Sequence, residues 1–283
     1  MGDIPFYVGI ESLDVWANQK CFLLDKDGRP EWIAGVPPDY FSATGQRWGN
    51  PIYDWKYLKK TGYQFWVERL AYTAEMFDII RIDHFRAFDT YWKIPATCPT
   101  AIEGSWIEAP GYDFFDTLFE QYPDINIIVE DLGDLRPEVH KLRDHYDFKG
   151  MKVLQFAFDP LETNNDFPDR ENMILYTGTH DNQTVMGWYR GQSEKFRRAT
   201  LRELRKDGYT EGKVSDRFIC SALNSVAAMT VVPMWDFLGM DDNSRMNTPG
   251  TVGSPNWEWR LKSFTPFQKR ISWICDQIRK SDR

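Results

Sequence analysis

Short apolar runs recur along the chain, and most are followed by a loop and then by apolar residues at helical spacing. The runs are Ile4–Val8, Phe77–Ile82, Ile125–Val129, Val153–Phe158, Met173–Tyr176 and Met229–Pro233. They are apolar on both faces rather than alternating, so they predict strands of a parallel sheet that is covered by helices or closed into a barrel. Between them the 3.6-residue period predicts helices at about 63–76, 136–146 and 193–206. The third carries Phe196, Thr200, Leu201 and Leu204 on one face and ends at Gly208. A closing helix over 266–280 places Phe267, Ile271, Ile274 and Ile278 on one side.

Two features interrupt this alternation. The segment from about 9 to 62 is rich in Pro, Gly and aromatic residues (PPDYFSATGQRWGNPIYDW) and reads as a long loop insertion, a kind of segment that is usually functional. A closed (β/α)8 barrel also needs eight strands, whereas the pattern supplies about six. The expected fold is therefore α/β, a (β/α)8 TIM-type barrel that is incomplete, with residues 1–283 forming a single catalytic domain.

Composition narrows the function. The 283 residues are 42% hydrophobic and 27% charged, which is ordinary for a globular protein, and the formal charge of −8 gives no reason to expect nucleic acid as a partner. The basic stretch RRATLRELRK is interrupted by Glu203 and falls on the polar face of a helix, where it reads as a solvated surface. Four cysteines lie far apart with no metal-ligand spacing, which fits a reducing cytoplasm and predicts neither a disulfide framework nor a zinc site. No apolar run approaches the roughly 20 residues that span a bilayer, and no export leader precedes GDIPFYV, so no membrane partner is expected. Aromatic residues, at 16% with 12 Trp, are the outlier. They fit either a Trp-rich core or flat platforms for a ligand with apolar faces and polar edges, such as a pyranose.

Three of the apolar runs end in acids. In FDIIRIDHFRAF, Arg81 and Asp83 share one face of a strand while Ile80 and Ile82 share the other. The cation holds Asp83 ionised, which suits a carboxylate nucleophile, although a structural ion pair has the same pattern. In INIIVEDLG, Glu130 ends an apolar strand beside a second acid, Asp131; burial and like charge raise a carboxyl pKa, as a general acid requires. Asp131 fits a helix N-cap equally well. In NMILYTGTHDNQT, the cluster Thr177, Gly178, Thr179, His180, Asp181 and Asn182 follows the strand; no further His sits at metal-ligand spacing, so a substrate-facing role is expected. Acids at the carboxyl ends of several strands mark the active face of a barrel, and two carboxyl groups in different protonation states are the equipment for cleaving a glycosidic bond.

Taken in order, GDIPFYV, AGVPPDYFSATGQRWGNPIYDW, IRIDHFRAF, IIVEDLG, YTGTHDNQT and RMNTPGT followed by NWEWRL resemble amylomaltase, the 4-alpha-glucanotransferase or disproportionating enzyme of the alpha-amylase superfamily. The resemblance runs from Met1 to about Leu261. It implies that Asp83 is the nucleophile, Glu130 the acid/base and Asp181 the residue that grips sugar hydroxyls in the transition state. It further implies substrate-binding roles for Arg81, His180 and Asn247, and for Asp39, Tyr40, Phe41 and Trp48 of the long segment, which would close over the glucan and shield the intermediate from water. The substrates implied are maltooligosaccharides or other alpha-1,4-glucans, with no metal and no organic cofactor. Family members carry a long portion before GDIPFYV that holds the first two barrel strands. The resemblance therefore predicts a chain that is weakly active or inactive alone, with that N-terminal part supplied as a separate chain. A non-catalytic glucan-binding or interaction fragment and an alpha-glucan hydrolase are the competing readings. Trp235 in VPMWDFLG stands where many relatives have Gln, which predicts a bulky ring near the site.

Overall fold

The computed structural model describes residues 1–38, 42–133, 135–158, 170–206 and 208–282. They form a mixed α/β structure of two compact units, Met1–Gly150 and Met151–Arg283.

The first unit contains β1 (Gly2–Ile4), α1 (Leu13–Ala17), β2 (Trp32–Val36), β3 (Gln46–Pro51), α2 (Trp55–Lys60) and α3 (Gln64–Met76). It continues with β4 (Ile80–Ile82), β5 (Thr90–Pro95), β6 (Ser105–Glu108), α4 (Gly111–Gln121), β7 (Ile127–Val129) and α5 (Pro137–His145). Strands β1, β4 and β7 form a parallel sheet in that order, with Asp3, Arg81 and Ile128 on one rung and Ile4, Ile82 and Val129 on the next. Because side chains alternate, the second rung points into the apolar core and the first points to the opposite face. Ile4, Ile82 and Val129 pack there with Trp66 and Leu70 of α3 and Phe114, Phe115 and Leu118 of α4.

The core of this unit is largely aromatic. Phe6 meets Phe88 edge-on at 4.8 Å between ring centroids, and Phe88 stacks on Phe114 at 5.1 Å. The buried Tyr53 hydroxyl donates to the Phe6 carbonyl at 2.6 Å, which satisfies its polar end. Much of the aromatic excess is thus packing.

The segment expected as a loop over 9–62 instead contains helices and strands among its described residues. It contributes α1, α2 and the strands β2 and β3, which join β5 and β6 in an antiparallel sheet of order β3-β2-β5-β6. The pattern concealed this sheet because its strands mix apolar with polar and charged residues, as QRWGNP in β3 and SWIE in β6 show. One face of β2 and β5 carries a satellite cluster of Ile33, Ile94 and Ala101.

The second unit contains β8 (Gly150–Val153), β9 (Met173–Tyr176), α6 (Val185–Gly191), α7 (Glu194–Lys206) and α8 (Val214–Leu223). After these come β10 (Met229–Val231), α9 (Met234–Leu238), α10 (Thr265–Gln268) and α11 (Ile271–Lys280). Its sheet has the order β10-β9-β8, with β9 and β10 parallel. Helix α7 buries Thr200 and Leu204, as its period predicts, and Gly208 follows with φ 89°, a left-handed conformation open to glycine at little cost. The expected closing helix is broken into α10 and α11, and only Ile274 of its apolar side is fully buried. An ion pair between Arg270 and Asp216 at 2.5 Å ties its start to α8.

Asp131 is not a helix cap. Its buried carboxylate pairs with the Arg143 guanidinium of α5 at 2.5 Å, and both side chains are almost fully enclosed. Removing one member of such a pair leaves the other charge buried and uncompensated. Asp131→Ala is expected to destabilise the protein by about 3 kcal/mol or more, measured as a drop in the urea midpoint; an unchanged midpoint would show the pair to be dispensable.

Candidate active site

The parallel ladder of the first unit builds the site one rung beyond the ends of its strands. The Asp83 amide donates to the Ile4 carbonyl at 3.0 Å and the Glu130 amide to the Ile82 carbonyl at 2.9 Å, so the ladder continues through both acids. By alternation, Asp83 and Glu130 project from the face that carries Arg81 rather than into the core. Neighbouring strands lie about 4.8 Å apart. Asp83 and Glu130 are thus neighbours on adjacent strands.

Arg81 organises this face. Its side chain is 9% exposed and reaches Asp3 at 2.7 Å through one terminal nitrogen and Asp83 at 3.1 Å through the other. The strand pattern isolated the Arg81–Asp83 pair; Asp3 escaped it because it sits inside a short strand opposite Arg81 on the neighbouring chain segment. The combined register of β1 and β4 is the signal that identifies it.

Glu130 is held differently. Its carboxylate accepts a hydrogen bond from the His84 amide at 2.8 Å, and burial, followed by the negative charge of Asp83, pushes its pKa up to about 7. Arg81 and the His84 amide oppose this rise. Asp131, the neighbour expected to supply the like charge, contributes least, because its own charge is engaged by Arg143. A carboxyl group poised near 7 can donate and recover a proton at neutral pH.

His84 owes its position to a left-handed backbone, φ 52°, that turns its amide toward Glu130. Its ring lies 4.9 Å from Trp48 and 6.0 Å from Tyr7, and burial together with the charge of Arg86 pushes its pKa down to about 4. Trp48 is 38% exposed and anchors its indole N–H on Gln46 at 3.1 Å. Strand β3 therefore carries Trp48 to the residue adjoining Asp83. Asp39, Tyr40 and Phe41 lie outside the described residues.

In the second unit, the loop after β9 presents His180 and Asp181, and Asn247 joins them from the segment after α9. The Asn247 side chain donates to the Asp181 carboxylate at 2.6 Å, and His180 approaches the other carboxylate oxygen at 3.4 Å. Arg245, which the motifs did not single out, clamps the loop from behind by donating to the main-chain carbonyls of Asp181 at 2.7 Å and Asn247 at 2.8 Å. Deeper in the unit, Asp236 accepts from Thr177 at 2.7 Å and from the Val185 amide at 2.9 Å, pinning both flanks of the loop; burial pushes its pKa up to about 6. Trp235 is buried edge-on against Trp259 at 5.6 Å, so its ring serves packing. Among the described residues, no group of His, Cys, Asp and Glu is arranged to hold a metal ion, and no helix is long and apolar enough to cross a membrane.

Strand-end carboxylates set on parallel strands, one of them with a raised pKa, make this an α/β protein with the kind of acid pair that glycosidic-bond chemistry uses. The family model described as 4-alpha-glucanotransferase matches residues 1–266. A 4-alpha-glucanotransferase of Thermus thermophilus is 46% identical over 268 residues, covering 92% of this chain and 53% of the relative. One of Synechocystis is 47% identical over 264 residues, with 92% and 52% covered. Among solved structures, an amylomaltase from Streptococcus agalactiae in complex with acarbose matches with a TM-score of 0.93 and 36% identity, covering 100% of this chain and 57% of that one. The chain belongs to the 4-alpha-glucanotransferase family, and it spans about half the length of the curated relatives it matches.

The shifted carboxyl gives a test with a defined sign. Glu130 has a folded pKa near 7 against an ordinary value of 4.5, so the folded state favours its protonated form and loses stability as pH rises between these values. Glu130→Gln is expected to gain about 1–3 kcal/mol relative to the parent above pH 7, with the gain vanishing below pH 4.5. Denaturation at pH 4 and pH 8 checks this; an equal difference at both would refute the shift.

Proposed function

We propose that this chain supplies six parallel strands of a (β/α)8-type barrel, as a single catalytic domain, and the catalytic groups of a 4-alpha-glucanotransferase. The reaction is transfer of alpha-1,4-glucan segments between maltooligosaccharides by retaining double displacement. The observation that carries this reading is the pairing of Asp83, bound to a buried guanidinium, with Glu130, whose pKa is pushed up to about 7.

Asp83 attacks the anomeric carbon as Glu130 gives its proton to the departing glycosidic oxygen, and a covalent glycosyl ester forms. A sugar hydroxyl of the acceptor then loses its proton to Glu130 and attacks the same carbon, releasing Asp83. Two inversions retain the configuration. Arg81 keeps Asp83 ionised, while Asp181, steadied by Asn247 and His180, grips sugar hydroxyls as charge develops. Trp48, with Asp39, Tyr40 and Phe41 of the same segment, covers the glucan and favours a sugar acceptor, which binds through many contacts, over water. The reaction needs no metal or organic cofactor. Four free thiols fit a reducing compartment, and we place the protein in the cytoplasm.

The test incubates maltotriose with the chain, alone and supplemented with the part of the Thermus thermophilus relative that this chain does not match. The supplemented sample is expected to form both glucose and maltodextrins longer than maltotriose, and the isolated chain much less of each. Asp83→Asn is expected to lower the rate by roughly 10³-fold or more. Accumulating reducing ends without longer products would instead mark a hydrolase. Maltodextrin binding without turnover in any sample would mark a binding fragment.

A further inference from the structure

Trp257 is exposed to 56%, yet its backbone sits in the left-handed region at φ 63°, where a bulky side chain is strained. Neither property helps a fold. A large apolar ring in water gains nothing from burial, and the backbone conformation is one that glycine would take more readily.

The surrounding bonds nevertheless fix it there. The Trp257 amide donates to the Met246 carbonyl at 2.7 Å, and its own carbonyl accepts from Arg260 at 3.2 Å. One residue earlier, the Asn256 side chain accepts from the Thr248 amide at 2.9 Å and donates to the Thr251 hydroxyl at 2.9 Å. The loop that holds Trp257 is thus laced to the segment carrying Asn247. Its ring lies 5.2 Å from that of His180, tilted by 39°, and His180 in turn approaches Asp181 at 3.4 Å. Two residues on, Trp259 packs against the buried Trp235 and does the structural work of this segment, which leaves Trp257 without that duty.

We propose that Trp257 is a stacking platform for one glucose unit of the glucan, adjoining His180 and Asp181, and so a specificity-determining residue. The inference rests on the glucan reading of the Asp181 cluster. A pyranose has an apolar face of C–H groups and an edge of hydroxyls, so an exposed indole takes the face while Asp181 and Asn247 reach the edge. Strain retained at an exposed aromatic beside polar groups is the pattern of a binding position that the surrounding bonds over-determine.

The experiment is calorimetric titration of the 283-residue chain with maltoheptaose, which needs no turnover. Trp257→Ala is expected to weaken binding roughly tenfold, and Trp257→Phe to keep most of it. Trp257→Gly is expected to weaken binding as much as Trp257→Ala while melting no lower than the parent, because glycine relieves the left-handed strain. Parent binding left unchanged by Trp257→Ala overturns the platform alone. A lower melting temperature in Trp257→Gly with unaltered affinity shows a structural role and also overturns it. A parent chain that binds no maltoheptaose overturns the glucan reading itself, and the platform with it.

Discussion

The Arg81 guanidinium is the interaction on which the first unit's chemistry depends. A buried cation needs compensation, and here it comes from Asp3 on one neighbouring strand and Asp83 two residues along its own. The negative charge of Asp83 in turn adds to burial in raising Glu130. The contrast between two carboxyl groups on adjacent strands therefore has two sources, the cation that pairs Asp83 and the burial that raises Glu130 against that cation's pull. Without Arg81, two acids on adjacent strands would meet with no cation between them, and their like charges would push one pKa up.

The second unit solves a different problem, that of holding an exposed carboxylate still. Asp181 is tied by its side chain to Asn247 and by its carbonyl to Arg245, and the loop behind it is fastened through Asp236 and Asp242. Most of these partners come from the region after β10, far along the chain from the strand that presents Asp181. Such long-range anchoring fixes the orientation of Asp181 without burying it, and this supports the role proposed for it.

Much of this was legible in the residues. The apolar runs locate β4, β7, β9 and β10, because a strand in a covered sheet leaves little room for alternation, but the runs at 4–8 and 153–158 meet β1 and β8 only at Ile4 and Val153, and residues 156–158 form a 3-10 helix. Arg81, Asp83 and Glu130 stand out as polar residues closing those runs, and the alternation rule orients them correctly. The antiparallel sheet was hidden, since β3 and β6 carry polar and charged residues that read as loop, and their pairing with β2 and β5 is decided by contacts distant in sequence. Asp3 was hidden for a related reason: its partner is 78 residues away. The rise in Glu130 was legible from burial and from Asp131, both of which raise it, but the larger like charge comes from Asp83 on the adjacent strand, which adjacency in sequence could not show. Resemblance supplied His180 and Asn247, and geometry then showed why both stand beside Asp181.

The turn after Asp83 has a consequence for how the protein can vary. His84 must be left-handed for its amide to face Glu130, so the position selects on backbone before it selects on side chain. Asparagine, aspartate and glycine enter that conformation readily, whereas valine, isoleucine and threonine do not. A library of substitutions at this single position would sort itself by allowed dihedral angles, turning the neighbour of two carboxyl groups into a conformational sieve.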